Sequence, residues 1–294
     1  MAHRVLVVGP SAGLAEEFVL AAPAEWAFEG VGQRAAIHTA DRYEVVHLVD
    51  AREIGPLEFA VRANDCDTVV SFLQEGNRRR CQEERPLPGA VPAGVAWDVN
   101  VLATEAIARA AVSEHKRVLV VSTDEIFPEK GGPAPETALP LPWSENPSWY
   151  GGTWAEAESL LGRIRGSIAI VRVSALFGWS LDRECDRRLA GELSQRRGDA
   201  PEWMRPTFVP DAARALRQLV ENPVTGRVHV AIAEDTRRGD FAAGLRRAVG
   251  GAAAVHEVVP ERHPGLIPGR LSEMGFPLSP IEAALENLRA MHRG

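Results

Sequence analysis

Lysine is nearly missing from this chain. Of its 33 basic residues only Lys116 and Lys130 are lysines, a skew that fits coding bias toward GC-rich codons, because such bias exchanges lysine for arginine and keeps the charge. Tyrosine is equally scarce, with Tyr43 and Tyr150 alone. Cys66, Cys81 and Cys185 are odd in number and far apart, a spacing that excludes a disulfide framework or a paired-cysteine zinc motif and leaves reduced thiols as the expectation. The eight histidines show no paired ligand spacing, so no metal is expected. No apolar run approaches the ~20 residues that cross a bilayer. The start, MAHRVLVVGP, lacks the longer apolar stretch and cleavage site of a secretory leader, so a cytoplasmic protein without a membrane partner is expected. Positive charge is not in excess either: a net charge of −7 offers no basic face for a phosphate backbone, and nucleic acid is not an expected partner.

What remains is an ordinary globular composition, 45% hydrophobic and 25% charged over 294 residues, long enough for one large domain with a smaller lobe. Short β-branched runs alternate with helical stretches. RVLVVG (4–9), RAAIH (34–38), EVVHLVD (44–50), CDTVVSFL (66–73), RVLVVSTDEIF (117–127) and SIAIVRVSALFG (167–178) read as strands. AGLAEEFVLAA, IGPLEFAVRAN and VAWDVNVLATEAIARAAVSEH (95–115) read as the helices between them. Continuous apolar strands joined by crossover helices specify a parallel sheet covered on both faces, a doubly wound α/β fold. Beyond residue 178 the pattern loosens into an Arg-rich helix, the loop PEWMRPTFVPD (201–211), a helix at 211–221, a strand GRVHVAI (226–232) and further helices. The expected division is a dinucleotide-binding-type domain over 1–178 and a smaller substrate lobe over 179–294, packed as one unit.

Several places carry candidate chemistry. VVGPSAGLA (7–15) sets Gly9 and Gly13, with Ser11 and Leu14 beside them, between a strand and a helix, where a tight turn and a helix N-terminus can hold a pyrophosphate. The GxGxxG fingerprint is absent, Ala12 and Ala15 stand where related patterns have glycine, and Pro10 removes an amide donor; weak nucleotide binding is the expectation. Asp50 could accept from an adenine amine and Arg42 could meet a ribose phosphate. The run Arg78-Arg79-Arg80, followed by CQEERP, reads as a solvated face. Trp149, Trp154 and Trp179 could wall an apolar pocket.

SENPSWYGGTWAEAESLLGRI (144–164) is a Pro- and Gly-marked loop entering a helix, with Tyr150 at the junction and Trp154 one turn on, on the same face. Together with Asp50 in HLVDARE, Asn100 in WDVNVLATEAI, Ser122-Thr123-Asp124-Glu125 at a strand end, RPTFVPDAARAL (205–216) and RLSEMGFPLSPIEAALENL (270–288), it resembles the extended short-chain dehydrogenase/reductases. Within them it resembles the dTDP-4-dehydrorhamnose reductase and NAD(P)-dependent epimerase/dehydratase branch, nearly end to end. That resemblance implies a Rossmann-like fold, NAD or NADP as cofactor, a small-molecule substrate and substrate-oxygen contacts from Ser122 or Thr123 and Tyr150; in its register Asn100 is a candidate pocket residue and the three tryptophans fall on the substrate side, where a pocket wall and core packing are equal readings. In the family pattern YxxxK a lysine holds the nicotinamide ribose and favours ionisation of the tyrosine. Here Trp154 occupies its place.

An unassisted phenol ionises only near pH ~10, so the sequence argues against hydride chemistry of the usual Tyr–Lys kind. Lys116 precedes its strand, and Lys130 sits in the loop EKGGPAPE; neither is placed to substitute. STDEIF is similar to the STDEVY of sugar-nucleotide 4,6-dehydratases, in which the Asp and Glu act as acid and base. The sequence-based expectation is therefore an atypical enzyme of small-molecule biosynthesis using Tyr150, Thr123, Asp124 and Glu125 for elimination, isomerisation or ring closure. Two alternatives stand beside it: an NAD(P)-dependent sugar-nucleotide reductase or epimerase, and a catalytically silent binding or regulatory subunit. Self-association into a homodimer is left open.

Overall fold

The computed structural model describes residues 3–128, 132–195, 203–251, 264–276 and 278–293. Seven strands, β1 (Arg4–Val8), β2 (Ala27–Gly32), β3 (Tyr43–Leu48), β4 (Thr68–Ser71), β5 (Arg117–Thr123), β6 (Ile168–Val173) and β7 (Gly226–Val230), form one sheet in the order β7-β6-β5-β4-β1-β2-β3. Every pairing in it is parallel. The order reverses between β1 and β4, which opens a crevice at their carboxyl ends, the place where such sheets bind ligands.

Helices cover both faces. On one side lie α1 (Gly13–Ala21) and, later in the chain, α7 (Val209–Glu221), whose Phe18, Val19, Leu216 and Leu219 pack with Val5, Val7 and Val171 of the sheet. On the other lie α2 (Ile54–Ala63), a helix α4 over 95–113, and α5 (Trp149–Leu161). Within α4, Asp98–Ala103 is wound as a π-helix between Val95–Trp97 and Thr104–Ser113; such single wide turns are frequent beside functional sites. The short α3 (Arg78–Glu83) follows β4. α6 (Arg183–Gln195), α8 (Arg238–Val249) and α9 (Ile281–Arg293) build a small third core around Phe177, Phe208 and Phe241. The boundary expected at residue 178 is crossed, because β7 and α7 return to complete the main sheet. Among the described residues no helix is long and apolar enough to cross a membrane.

One expected strand is misplaced. RAAIH (34–38) is loop, with the amides of Ile37 and His38 bound to the Glu16 carboxylate at 2.7 and 3.0 Å. The second strand is AFEGVG (27–32), whose Glu29, Gly30 and Gly32 interrupt the apolar run. Space dictates the small residues: a Cβ on Gly30 would lie 3.1 Å from Val46, and one on Gly32 3.0 Å from Pro10.

A row of polar side chains crosses the sheet near its carboxyl edge. Ser122, Arg172 and His229 are neighbours in register on β5, β6 and β7, so they share a face. Arg172 donates to Glu158 of α5 through Nε (3.0 and 3.1 Å) and Nη2 (2.6 Å), and its Nη1 lies 3.1 Å from His229 Nε2. The Ser122 hydroxyl donates to Glu158 Oε1 at 2.7 Å. Both charges are fully buried, so this cluster anchors α5 to the sheet.

Removing one partner of a buried ion pair strands the other charge. Glu158→Gln should cost about 3–5 kcal/mol in denaturant unfolding. His229 is pushed down to about 3, first by burial and then by Arg172, so the folded state holds it neutral where the unfolded chain takes up a proton. Its contribution is present above pH 6.5 and is lost as pH falls toward 3. His229→Gln should flatten that part of a Tm-against-pH curve.

Candidate active site

Two cavities meet at the sheet's carboxyl edge. The first, about 350 Å³, is lined among others by Gly13, Leu14, Gln74, Arg78, Thr123, Tyr150 and Trp179. The second, about 490 Å³, runs past Gly9, Ser11, Gly32, Arg34 and Arg52. Ala12, Phe72, Gln74 and Gly76 border both, so the two form one cleft.

Its floor is the turn after β1. Gly9 holds φ +80°, and a Cβ there would lie 3.2 Å from the backbone of Leu73, so only glycine suits the turn. α1 begins at Gly13 without a side-chain cap on Ala12, which leaves the first helical amides facing the cleft mouth for an anion. The two alanines differ. Ala15 is buried in the core, whereas Ala12 borders both cavities. The lining has room for a dinucleotide: Gly9, Ser11, Gly13 and Leu14 could hold phosphates at the turn and helix N-terminus, and Arg34 and Arg52 border the outer cavity beyond them. Arg34, which sequence reasoning passed over, follows the strand that was misplaced. Arg42 does not belong to this site: it stands before β3, at the amino end of the sheet, where its guanidinium donates to the carbonyl of Pro23 at 3.0 Å. Asp50 is clamped by Arg52, whose Nη2 approaches to 2.6 Å and holds the carboxyl well below its usual range; Ala51 and Arg52 border the cavity beside it.

Tyr150 stands where the helix meets the sheet. Gly151 brings α5 so close to the end of β5 that a Cβ would lie 2.2 Å from the Glu125 carbonyl oxygen. The Tyr150 hydroxyl donates to Gln74 Oε1 at 2.7 Å, and the Arg78 guanidinium carbon lies 3.8 Å from the centre of the Tyr150 ring. Thr123 lines the same cavity, its Oγ1 accepting from the amide of Glu125 at 3.2 Å. Asn100 is a brace: its Oδ1 accepts from the Glu75 amide at 2.7 Å and its Nδ2 donates to Thr153 at 3.0 Å, tying the loop that carries Gln74 to α5. It does not border the cleft.

Other expected site residues are committed elsewhere. The Ser122 hydroxyl belongs to the Glu158 cluster, although the residue borders the cavity. Asp124 accepts from Ser174 Oγ at 2.6 Å and from the Gly265 amide at 3.2 Å. Glu125 accepts from Arg78 Nε and Nη2 at 3.1 and 3.0 Å and from Ser148 at 2.9 Å. Neither carboxylate borders the cleft, so the pair is not arranged as an acid and base facing a substrate. Trp149 and Trp154 are 1% exposed and lie in the core; Trp149 stacks on Trp97, with ring centres 5.9 Å apart, and meets Trp143 edge-on. They are not pocket walls. Trp179 is one, lying against the first turn of α1, where a Cβ on Gly13 would meet its ring at 2.8 Å.

Sequence reasoning missed Gln74 and Arg78. Arg79 and Arg80 do pair outward, with Glu83 and Glu75, but three consecutive helical residues cannot share one face, and Arg78 turns in. Lys116 is spent on the carbonyls of Val61 and Asn64 at 2.8 and 2.7 Å, and Lys130 lies outside the described residues. Cys185 also borders the cavity, its thiol pushed up to about 12, first by burial and then by Asp182, so it offers no thiolate at neutral pH.

The profile of the RmlD substrate-binding domain matches residues 92–265, more than half of the chain. The protein belongs to this family. No curated protein matches the sequence. Among solved structures, this RmlD-family chain is similar to the dTDP-4-dehydrorhamnose reductase of Bacillus anthracis str. Ames in complex with NADP (TM-score 0.72, 18% identity, 99% of each chain covered). It is also similar to WbmG of Bordetella bronchiseptica in complex with NAD (0.74, 14%, 100% of this chain and 94% of that one), and to the UDP-glucuronic acid 4-epimerase of Bacillus cereus in complex with UDP-glucuronic acid and NAD (0.70, 17%, 99% of each). At these identities the likeness establishes the Rossmann-like fold.

The strap that carries Trp179 is tied at both ends. Glu17 accepts from the amide and hydroxyl of Ser180, each at 2.6 Å, and Asp186 accepts from the amides of Gly178 and Trp179 at 2.7 and 3.1 Å. Burial is the main cause that pushes Asp186 up to about 7 from 3.8. The folded state thus holds a proton that the unfolded chain releases, and this contribution, full below pH 3.8, is lost as pH rises through 7. Asp186→Asn should remove that downward slope from Tm measured across this range; an unchanged slope would show that Asp186 does not titrate there.

Proposed function

We propose that the protein is an NAD(P)-dependent reductase or epimerase acting on a sugar nucleotide, with Tyr150 as the proton donor to the substrate oxygen. The observation that carries this reading is the single cleft. Tyr150 and Thr123 border its inner cavity, and the glycine turn before α1 borders its outer one. Family membership and the nucleotide-sugar enzymes among its structural neighbours support it, and they favour it over proton-transfer chemistry by Asp124 and Glu125. A bound nicotinamide would supply or accept the hydride.

The chain's own residues divide the remaining work. Thr123 and Tyr150 hydrogen-bond the substrate oxygen, fixing the carbonyl carbon toward the outer cavity, and Tyr150 gives or takes the proton. Gln74 Oε1 accepts the hydrogen bond of the phenol until the substrate oxygen replaces it as acceptor. Trp179 and Phe72 exclude water from the inner cavity, and Arg34 and Arg52 hold the nucleoside end of the cofactor.

Tyr150→Phe should lower turnover by about 10²–10⁴-fold while calorimetric affinity for NADP(H) or NAD(H) stays close to that of the native protein, since the phenol contributes to chemistry and not to phosphate binding. Ala12 intrudes where glycine would give more room, so affinity in the micromolar range is expected. Absence of heat with every nicotinamide nucleotide would overturn the reading.

A further inference from the structure

The family pattern places its cation one helical turn after the tyrosine, and here that place holds a buried indole. We propose that Arg78, from a different part of the chain, supplies the positive charge that assists Tyr150. The assignment deepens the reading of Tyr150 as proton donor and depends on it only for its catalytic consequence.

The geometry is specific. The Arg78 guanidinium carbon lies 3.8 Å from the centre of the Tyr150 ring, well inside the ~6 Å within which a cation is held over an aromatic face. Three contacts hold it there: Nε and Nη2 donate to Glu125 Oε1, and Nη1 donates to the Gly76 carbonyl at 2.8 Å. Asn77 caps α3 by accepting from the Arg80 amide at 3.0 Å, which sets Arg78 at the first helical position, pointing back across the loop. The Arg78 side chain is 21% exposed and borders the same cavity as Tyr150.

When the Tyr150 O–H bond breaks and a new O–H bond forms on the substrate, the electron pair stays on the phenolate and spreads into the ring. A cation over the ring face is attracted more strongly to that anion than to the neutral phenol, so it favours the charged form. The usual lysine acts from beside the oxygen; Arg78 acts through the ring and leaves the hydroxyl to Gln74 and the substrate. Arg78 is therefore a positioning residue in the electrostatic sense. Other charged groups face this region. Glu125, at the end of β5, shares the Arg78 charge and opposes the effect; Glu75 is paired with Arg80 at 3.0 Å. Arg188, Glu192 and the Cys185 thiol border the same cavity from α6.

With only two tyrosines in the chain, a Tyr43→Phe background leaves Tyr150 as the sole source of phenolate absorbance in a pH titration. In that background Arg78→Met should raise the titration midpoint by about one unit or more, Arg78→Lys should recover part of the rise, and Glu125→Gln should lower the midpoint by leaving the Arg78 charge unshared. Opposite shifts in Arg78→Met and Glu125→Gln distinguish an electrostatic role from loosened packing, which would move both the same way. A midpoint unmoved by Arg78→Met, or shifts of the same sign in the two variants, would overturn the proposal. Should Arg78→Met fail to fold, the charge-keeping Arg78→Lys and Glu125→Gln decide alone: a Glu125→Gln midpoint that does not fall refutes the assignment. Midpoints that move as expected in a protein that neither oxidises reduced nicotinamide nor epimerises a sugar nucleotide would uphold the Arg78–Tyr150 coupling and refute the reductase or epimerase reading.

Discussion

The cleft depends on one close approach. Where α5 meets the end of β5, the space between Gly151 and the Glu125 carbonyl oxygen cannot hold a methyl group. That contact fixes both partners. On the helix side it sets Tyr150 against the inner cavity of the cleft, with Ser148 capping the helix by accepting from the Gly151 amide. On the strand side it turns the chain after Thr123, so that Thr123 borders the cleft while Asp124 and Glu125 are carried away from it. Asn146 closes the junction by donating to the Glu125 carbonyl at 2.9 Å. The buried Glu158–Arg172 pair one layer deeper keeps α5 from sliding along the sheet.

The same contact explains how a tryptophan can stand in the lysine position. Trp154 lies one turn beyond Tyr150 and is 1% exposed in the core that α5 shares with α4. An ammonium there would be stripped of water, and the carboxylate one turn further along α5, Glu158, is already engaged by Arg172 and Ser122, so the burial would be expensive. An indole instead contributes packing. A positive charge stands over the Tyr150 ring from Arg78 at the start of α3, with Glu125, turned aside by the tight junction, as its ion-pair partner. Acid–base chemistry by Glu125 and charge support from Arg78 are thus competing uses of one carboxylate, and the hydrogen bonds favour the second.

Much of the fold was legible because apolar runs such as RVLVV, RVLVVST and IAIVRV are buried on both sides and nothing else explains them. β2 was not, since its glycines and Glu29 answer to neighbours contributed by other strands. The position of β2 also bears on the site: it places Arg34 at the carboxyl edge and Arg42 at the amino end of the sheet. The placement of Tyr150, Thr123 and the glycine turn together at the sheet's carboxyl edge was legible from the order of the motifs. Side-chain direction was not. Whether Asp124 faces the cleft or Gly265, and whether Arg78 faces water or a phenol, depends on segments up to 141 residues away in the chain, and spacing along the sequence carries no record of that.

The central claim is that hydride chemistry persists in this cleft without the helix lysine. Its most direct measurement is isotope transfer: the protein is incubated with a 4-keto nucleotide sugar and NADPH or NADH deuterated at the reactive nicotinamide carbon, and the sugar product is read by mass spectrometry. The account predicts one deuterium per product molecule in the newly formed C–H bond. A product formed by loss of water with no deuterium and no nucleotide oxidised would contradict it.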